Sequence, residues 1–297
     1  MTAGNPAVRK HRRRPLRPGR ALSYAVLVIV CALLLLPIAL TFLYSFFPTA
    51  EMKAFLETRN NYEPGHFMDI LLSPSIVSLG QYYSLMIEKP VYLQLFFNSV
   101  FYTLSILLGQ LLVIPMLSYA LSRFKFRGRD TLFFMVLMLM LLPFQVTMAP
   151  SVLTMRTLGL MNTRWAVILP MIFSPLYIFL IRQYMVGIPT DMFEAAMMDG
   201  AGTWRCFAHM VMPISKPILG AAAALSFADG WNMVEQPLIY LSNDQGAMPL
   251  SVMFDKVASA EPGVAFAGAA LYILPALLIY TYFQEDILLG IQLSDMK

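Results

Sequence analysis

Six apolar runs, at about 21–46, 92–122, 131–153, 165–184, 217–241 and 264–288, alternate with shorter stretches where charges, prolines and glycines gather. A helix rises about 1.5 Å per residue, so roughly 20 apolar residues cross the hydrocarbon of a bilayer, and each run is long enough. The pattern predicts an all-α polytopic membrane protein with six transmembrane helices. The first run, Ala21–Phe46, would reach about 39 Å. It is too long for a secretory h-region and has no small-x-small cleavage site close behind it, so it reads as an uncleaved first span.

Composition points the same way. Of 297 residues, 58% are hydrophobic and 13% charged, and the mean hydropathy is +0.65; a soluble domain carries about twice that charge density. The placement of charge adds topology. Seven of the 21 basic residues fall in the first 20 positions. Directly before an apolar run, such a cluster holds a terminus in the cytoplasm rather than binding nucleic acid. With six spans, the N-terminus, 123–130, the 185–216 loop with Arg182 just before it, and the C-terminus share one side and carry 15 Lys and Arg; 49–90, 155–164 and 242–263 carry six. The excess predicts a multi-pass protein of the cell membrane with both termini cytoplasmic. The expected organisation is a basic tail (1–20) followed by one six-span domain (21–297). The outer segment 49–90 is long enough for short helices, either touching a partner or forming a lid. Cys31 and Cys206 fall at different depths with no CxxC spacing, which implies neither disulfide nor metal site.

Between the fourth and fifth runs lies "EAAMMDGAGTWRCFAHMVMPISKP", Glu194–Pro217, which cannot span a membrane. Thr190 is placed to cap a helix with acids in its first turn. Gly200 and Gly202 then break the chain, and Thr203 is placed to cap a second helix. Trp204, Phe207, Ala208 and Val211 recur at i, i+3, i+4 and i+7 as one apolar stripe. The expectation is two short amphipathic helices at a sharp angle with exposed apolar faces. Asp191, Glu194 and Asp199 outnumber Arg205 and Lys216 here, which suits a protein groove better than an anionic lipid surface.

Glu194-Ala195-Ala196, Asp199-Gly200-Ala201 and Pro213, thirteen residues beyond Gly200, resemble the EAA loop of the membrane subunits of binding-protein-dependent ABC importers. "YALSRFKFRGRD" (Tyr119–Asp130), "LGLMNT" (Leu158–Thr163), Asn98-Ser99 and "IPTDMFEAAMMDGAGTW" (Ile188–Trp204) extend the resemblance to the carbohydrate importers related to the maltose-transporter permeases. Met210-Val211-Met212-Pro213 departs from that family's Ile-x-Leu-Pro, with methionine filling similar volume. Trp231-Asn232-Met233-Val234 departs from its Trp-Asn-Glu-Phe, with Glu235 two places later. The resemblance implies a permease subunit whose loop, through Glu194, Ala195, Ala196, Asp199, Gly200, Ala201, Trp204, Phe207 and Pro213, docks in a cleft of an ATPase. It further implies a second permease of different sequence, two cytoplasmic ABC ATPase subunits that bind ATP and Mg, and an extracytoplasmic solute-binding protein. No nucleic acid is expected.

The chain has no GxxxxGK[ST] phosphate loop and no HExxH, and His11, His66 and His209 are scattered, so no catalytic residue, metal or cofactor is expected in it. Polar groups inside spans are costly and mark cavities or partners. Asp229, Asn232 and Gln236 fall at i, i+3 and i+7 of the fifth run, with Trp231 and Glu235 beside them and Pro237 inviting a break. These five form a candidate substrate path, suited to a polyhydroxylated ligand that hydrogen-bonds at its edges and stacks on a ring. The alternative is a polar clasp between packed helices. Arg123, Lys125, Arg127 and Arg129 read as topology determinants and lipid-phosphate contacts. Two rival functions remain: a secondary transporter driven by an ion gradient, with Asp229 as its ion site, and a membrane anchor that uses the loop as a tether.

Overall fold

The structure is a computed structural model and describes residues 18–60, 72–252, 254 and 262–292. The basic tail up to residue 17, with His11, lies outside these residues, as do His66, Lys256 and Lys297. Among the described residues every regular element is helical.

In chain order the helices are α1 (Pro18–Tyr44), α2 (Thr49–Asn60), α3 (Gly80–Tyr83, running into a π-turn at Ser84–Glu88), α4 (Pro90–Arg123), α5 (Arg129–Leu141) and α6 (Phe144–Thr157). Next come α7 (Arg164–Ile172), α8 (Pro175–Val186), α9 (Thr190–Met198), α10 (Thr203–Ile214), α11 (Lys216–Trp231), α12 (Glu235–Tyr240) and α13 (Pro262–Gln292). Four stretches without a sharp bend are long and apolar enough to cross a membrane: Leu22–Tyr44, Pro90–Arg123, Arg164–Val186 (α7 and α8 together) and Gly263–Ile287. Two further crossings are bent pairs, which brings the number to six when each pair counts once.

The pairs are α5 with α6 at 110° and α10 with α11 at 73°, and the first of these bends, with a separate break after Trp231, corrects two of the expected spans. The run 131–153 is not one helix: α5 and α6 meet at 110°. Pro143 forces the residue before it out of helical geometry, and Leu142 is extended at φ −77°, ψ 127°. The run 217–241 also breaks, because α11 ends at Trp231 and α12 begins at Glu235. Pro237 has no N–H for the carbonyl of Met233, four residues earlier. Ser251 Oγ donates to that carbonyl at 2.6 Å instead. The same device recurs at Pro175: the Met171 carbonyl it leaves free accepts a 2.6 Å bond from Gln110 Nε2 of α4. The outer segment 49–90 does hold short helices, α2 and α3. Gln81, fully buried, fastens α3 to the end of α1 by donating to the Phe47 carbonyl at 2.6 Å.

The helices pack around α4. Its side chains enter two apolar cores, one at each end. At one end Ile114, Tyr119 and Leu121 meet Ile178, Ile181 and Met185 of α8 with Phe193, Phe207 and Val211 of α9 and α10. At the other, Tyr102 and Ile106 meet Ala166, Val167 and Ile168 of α7 with Tyr240, Leu241 and Met248. The most extensive helix pairing is α11 against α13, which run antiparallel with Gly220 beside Asp286 and Trp231 stacked on Tyr272. A side chain at Gly220 would have to displace that of Asp286, since a Cβ there would lie 2.5 Å from Asp286 Oδ2.

Candidate functional site

The 185–216 loop folds into two helices closed by a specific turn. After α9, Gly200 adopts φ +78°, a left-handed backbone that glycine alone accepts cheaply. The Ala201 N–H then reaches the Ala196 carbonyl at 2.9 Å and the Gly200 N–H reaches the Met197 carbonyl at 3.0 Å. This is the pair of bonds that closes a helix end with a glycine one residue past its cap. Ala196 supplies one carbonyl and Ala201 its donor, bonds that any side chain would allow, while both side chains pack against the apolar core beneath. Gly202 returns the chain to an extended conformation, and α10 follows.

Three expectations for this loop need correction. Neither Thr190 nor Thr203 caps its helix; each is the first helical residue, behind Pro189 and Gly202, and no side-chain cap bond forms. The Trp204–Phe207–Ala208–Val211 stripe is not one exposed face, because Phe207 and Val211 are buried in the α4–α8 core. A π-turn over Phe207–Val211 widens α10 and departs from the regular period that the stripe assumes. What remains outside is a different set. Met198 is 88% exposed, Trp204 65% and Met197 58%, with Asp191, Met192, Glu194, Ala195, Asp199 and Pro213 also on the surface. The stripe therefore seats the loop, and Met197, Met198 and Trp204 form its exposed ridge beside an acidic flank. The two methionines close α9, whereas the helical period was read only along α10, so the sequence reading passed over them.

The seat is held by polar grips at both ends. Arg123 Nη2 at the end of α4 donates to the Met185 carbonyl at 2.6 Å and also to the Ile188 carbonyl. Its guanidinium lies 4.1 Å over the ring of Phe193 in α9. At the other end Tyr184 Oη donates to the Ile214 carbonyl at 2.9 Å. Arg123 thus turns into the protein rather than toward lipid, because the last carbonyls of α8 have no helical partner and a cation at a helix C-terminus is favoured. Arg182 is likewise committed, 3.9 Å over Phe133.

The five residues of the candidate substrate path part company. The break after Trp231 removes Gln236 from the helical face of Asp229 and Asn232. Trp231 is 2% exposed, stacked between Phe227 and Tyr272, and its Nε1 donates to the Tyr272 carbonyl at 3.1 Å. Its ring is core and offers no face to a ligand. Asp229, Asn232 and Glu235 are exposed on the chain's surface, and Gln236 is half-buried. Asp229 Oδ2 accepts a 2.6 Å bond from Tyr177 of α8, and Glu235 accepts one at 3.3 Å from Gln145 of α6. Exposed carboxylates and amides within apolar helices are unfavourable against lipid. That face therefore suits water or a neighbouring chain. Among the described residues no cluster of His, Cys, Asp and Glu could hold a metal.

Comparison with known proteins agrees with this architecture. Residues 102–285 match the family described as binding-protein-dependent transport system inner membrane component. The chain is 30% identical over 263 residues to the arabinooligosaccharides transport system permease protein AraQ of Halalkalibacterium halodurans, covering 88% of this chain and 90% of that protein. It is 28% identical over 276 residues to the diacetylchitobiose uptake system permease protein NgcG of Streptomyces coelicolor, covering 90% and 85%. In fold it is similar to a chain of a bacterial ABC transporter involved in the import of the acidic polysaccharide alginate. There the TM-score is 0.76 at 23% identity, covering 89% of this chain and 95% of that one. With more than half of its length in the family match, the chain belongs to the binding-protein-dependent transport system inner membrane components: it is a multi-pass membrane permease subunit of such an importer.

Proposed function

We propose that the substrate is a sugar or oligosaccharide, that the 185–216 loop docks on a cytoplasmic ABC ATPase, and that Asp229, Asn232, Glu235 and Gln236 border the translocation path. The observation that carries the docking reading is the ridge Met197, Met198 and Trp204 with Glu194 and Asp199 beside it, projected from a loop clamped by Arg123 and Tyr184. An apolar ridge on a helix fits a groove. A clamped base lets the loop carry force instead of deforming.

The sugar class is supported by relatives named for arabinooligosaccharides and diacetylchitobiose, and by the carboxylates and amides exposed at Asp229, Asn232 and Glu235. In this reading the chain pairs with a second permease of different sequence, two ATPase subunits that bind the ATP and Mg, and an extracytoplasmic solute-binding protein. Both its termini lie in the cytoplasm. The chain itself performs no catalysis; closure of the ATPases pushes the loop, and the spans switch from inward-open to outward-open.

The test is purification of the tagged chain from its own cells in mild detergent, comparing wild type with Glu194→Lys and Met198→Asp. An ATPase subunit should accompany wild type and be depleted from both variants. Its absence from wild type, or its retention in both variants, would overturn the docking assignment.

A further inference from the structure

The loop is continuous in sequence with α8 and α11, yet its strongest side-chain grip comes from α4. Arg123 holds two carbonyls at the loop's entrance and covers Phe193. One turn earlier Tyr119 packs on Phe207 of α10, ring centroids 5.2 Å apart. Any displacement of α9 and α10 as a body therefore meets the end of α4 directly.

The other end of α4 holds a second segment just as firmly. Gln94 Nε2 and Asn98 Nδ2 donate to the Gly246 carbonyl at 3.0 and 2.8 Å, and Asn98 also reaches the Met248 carbonyl at 3.0 Å. Tyr102 donates to the Ala247 carbonyl at 2.9 Å, and Ser99 accepts from the Leu250 N–H at 2.9 Å. Arg164 of α7 completes the cage by donating to Asn98 Oδ1 at 3.1 Å. Residues 94, 98 and 102 repeat every fourth position, so one stripe of α4 grips 246–248, and neighbouring Ser99 holds Leu250. Ser242–Gly246 are exposed above this grip.

Between the two ends α4 hydrogen-bonds to one neighbouring rod, through Gln110 to the Met171 carbonyl and Ser118 to the Ile178 carbonyl, and packs along α11. From Asn98 to Arg123 the helix runs about 37 Å at 1.5 Å per residue, more than the hydrocarbon thickness. It continues through Pro115 without a break.

We infer that α4 is a lever joining the 185–216 loop to the 243–250 segment across the membrane, and that Arg123 is the positioning residue that engages it. This rests on the docking function proposed above. An ATP-driven movement of the loop would then reach 243–250 through α4, and coupling between the two ends would depend on a side chain that touches neither ATP nor substrate. Such a link is a coupling free energy between two sites, demonstrated only by changing one end and reading the other.

The experiment uses the full transporter complex in lipid nanodiscs with Asn243→Cys as reporter. Asn243 is exposed, and its backbone N–H, which donates to Asn162 Oδ1 at 3.1 Å, survives the substitution. Labelling by a membrane-impermeant maleimide is timed with and without a non-hydrolysable ATP analogue, against the same complex lacking the new cysteine. With Arg123 intact, the analogue should change the labelling rate at least about fivefold, the lower end of typical coupling. In Arg123→Gln the change should fall below about twofold while the ATPase subunits stay bound, with Arg123→Lys between the two. A full ATP-dependent change in Arg123→Gln would overturn the lever. So would loss of the ATPase from Arg123→Gln and Arg123→Lys alike, which would reduce Arg123 to a prop for the loop's shape. Absence of any ATPase from the unaltered complex is a separate result that overturns the docking function and the lever together.

Discussion

Replacing Gly200 by alanine isolates what the left-handed turn contributes to docking. At φ +78° a Cβ meets no atom within 4 Å, so the substitution adds strain without a clash. An L-residue other than glycine held in this region costs about 1–2 kcal/mol. The strain is relieved by opening the turn, which breaks the Ala201–Ala196 and Gly200–Met197 bonds and swings α9 away from α10. If the ATPase accepts only the closed turn, that cost appears in the docking equilibrium as a loss of roughly five- to thirtyfold in affinity. The assay is titration of the isolated ATPase onto the permease pair in nanodiscs. Gly202→Ser is the internal control: Gly202 is extended at φ −72°, has open space around it, and stands at a helix N-cap where serine is favoured. Gly200→Asn should lose less than Gly200→Ala, because asparagine tolerates the left-handed region better. Equal affinities for Gly200→Ala and Gly202→Ser would refute the reasoning.

Three further substitutions probe the packing and the polar face. Trp231→Ala should lower the thermal stability of the detergent-solubilised chain by about 3–5 kcal/mol, with Trp231→Phe much milder, because the ring is core; unchanged stability with altered substrate preference would return Trp231 to the path. Gly220→Ala should cost about 1–3 kcal/mol by forcing α11 off α13. Adding Asp286→Ala should recover most of that in the same melt, whereas Gly230→Ala, with its nearest neighbour 3.4 Å away, should have a small effect. Tyr177→Phe removes the 2.6 Å bond to Asp229, worth about 1.5–3 kcal/mol for a charged acceptor. Uptake should fall several-fold while the complex still assembles, and uptake equal to wild type would detach Asp229 from transport.

The helical class and four of the six crossings were legible because apolar runs of that length leave a chain few alternatives. The internal breaks were only partly so. Proline at 237 announced one and fixed the carbonyl it frees, four residues earlier, but that Ser251 satisfies it depends on chain 14 residues away. The bend at Pro143 was hidden inside an uninterrupted apolar run, where length was weighed and the residue before proline was not. In the loop, the glycine turn was readable from Gly200, since glycine alone accepts a left-handed backbone cheaply. The facing of α10 was not: a stripe at helical spacing identifies a buried face as readily as a docking face, and only the position of the α4–α8 core decides between them. Arg123 was misread for a related reason. A basic residue at the end of a span satisfies the charge rule whether it points to lipid headgroups or to a carbonyl, and the composition is the same in both cases.

The most direct test of the account is uptake by the assembled transporter in proteoliposomes, with ATP inside, sugar-loaded binding protein outside and no ion gradient imposed. The account predicts sugar accumulation that requires ATP, accompanied by ATP hydrolysis that the loaded binding protein stimulates, and loss of both in Glu194→Lys. Accumulation that follows an imposed ion gradient without ATP, and that disappears in Asp229→Asn but not in Glu194→Lys, would contradict it.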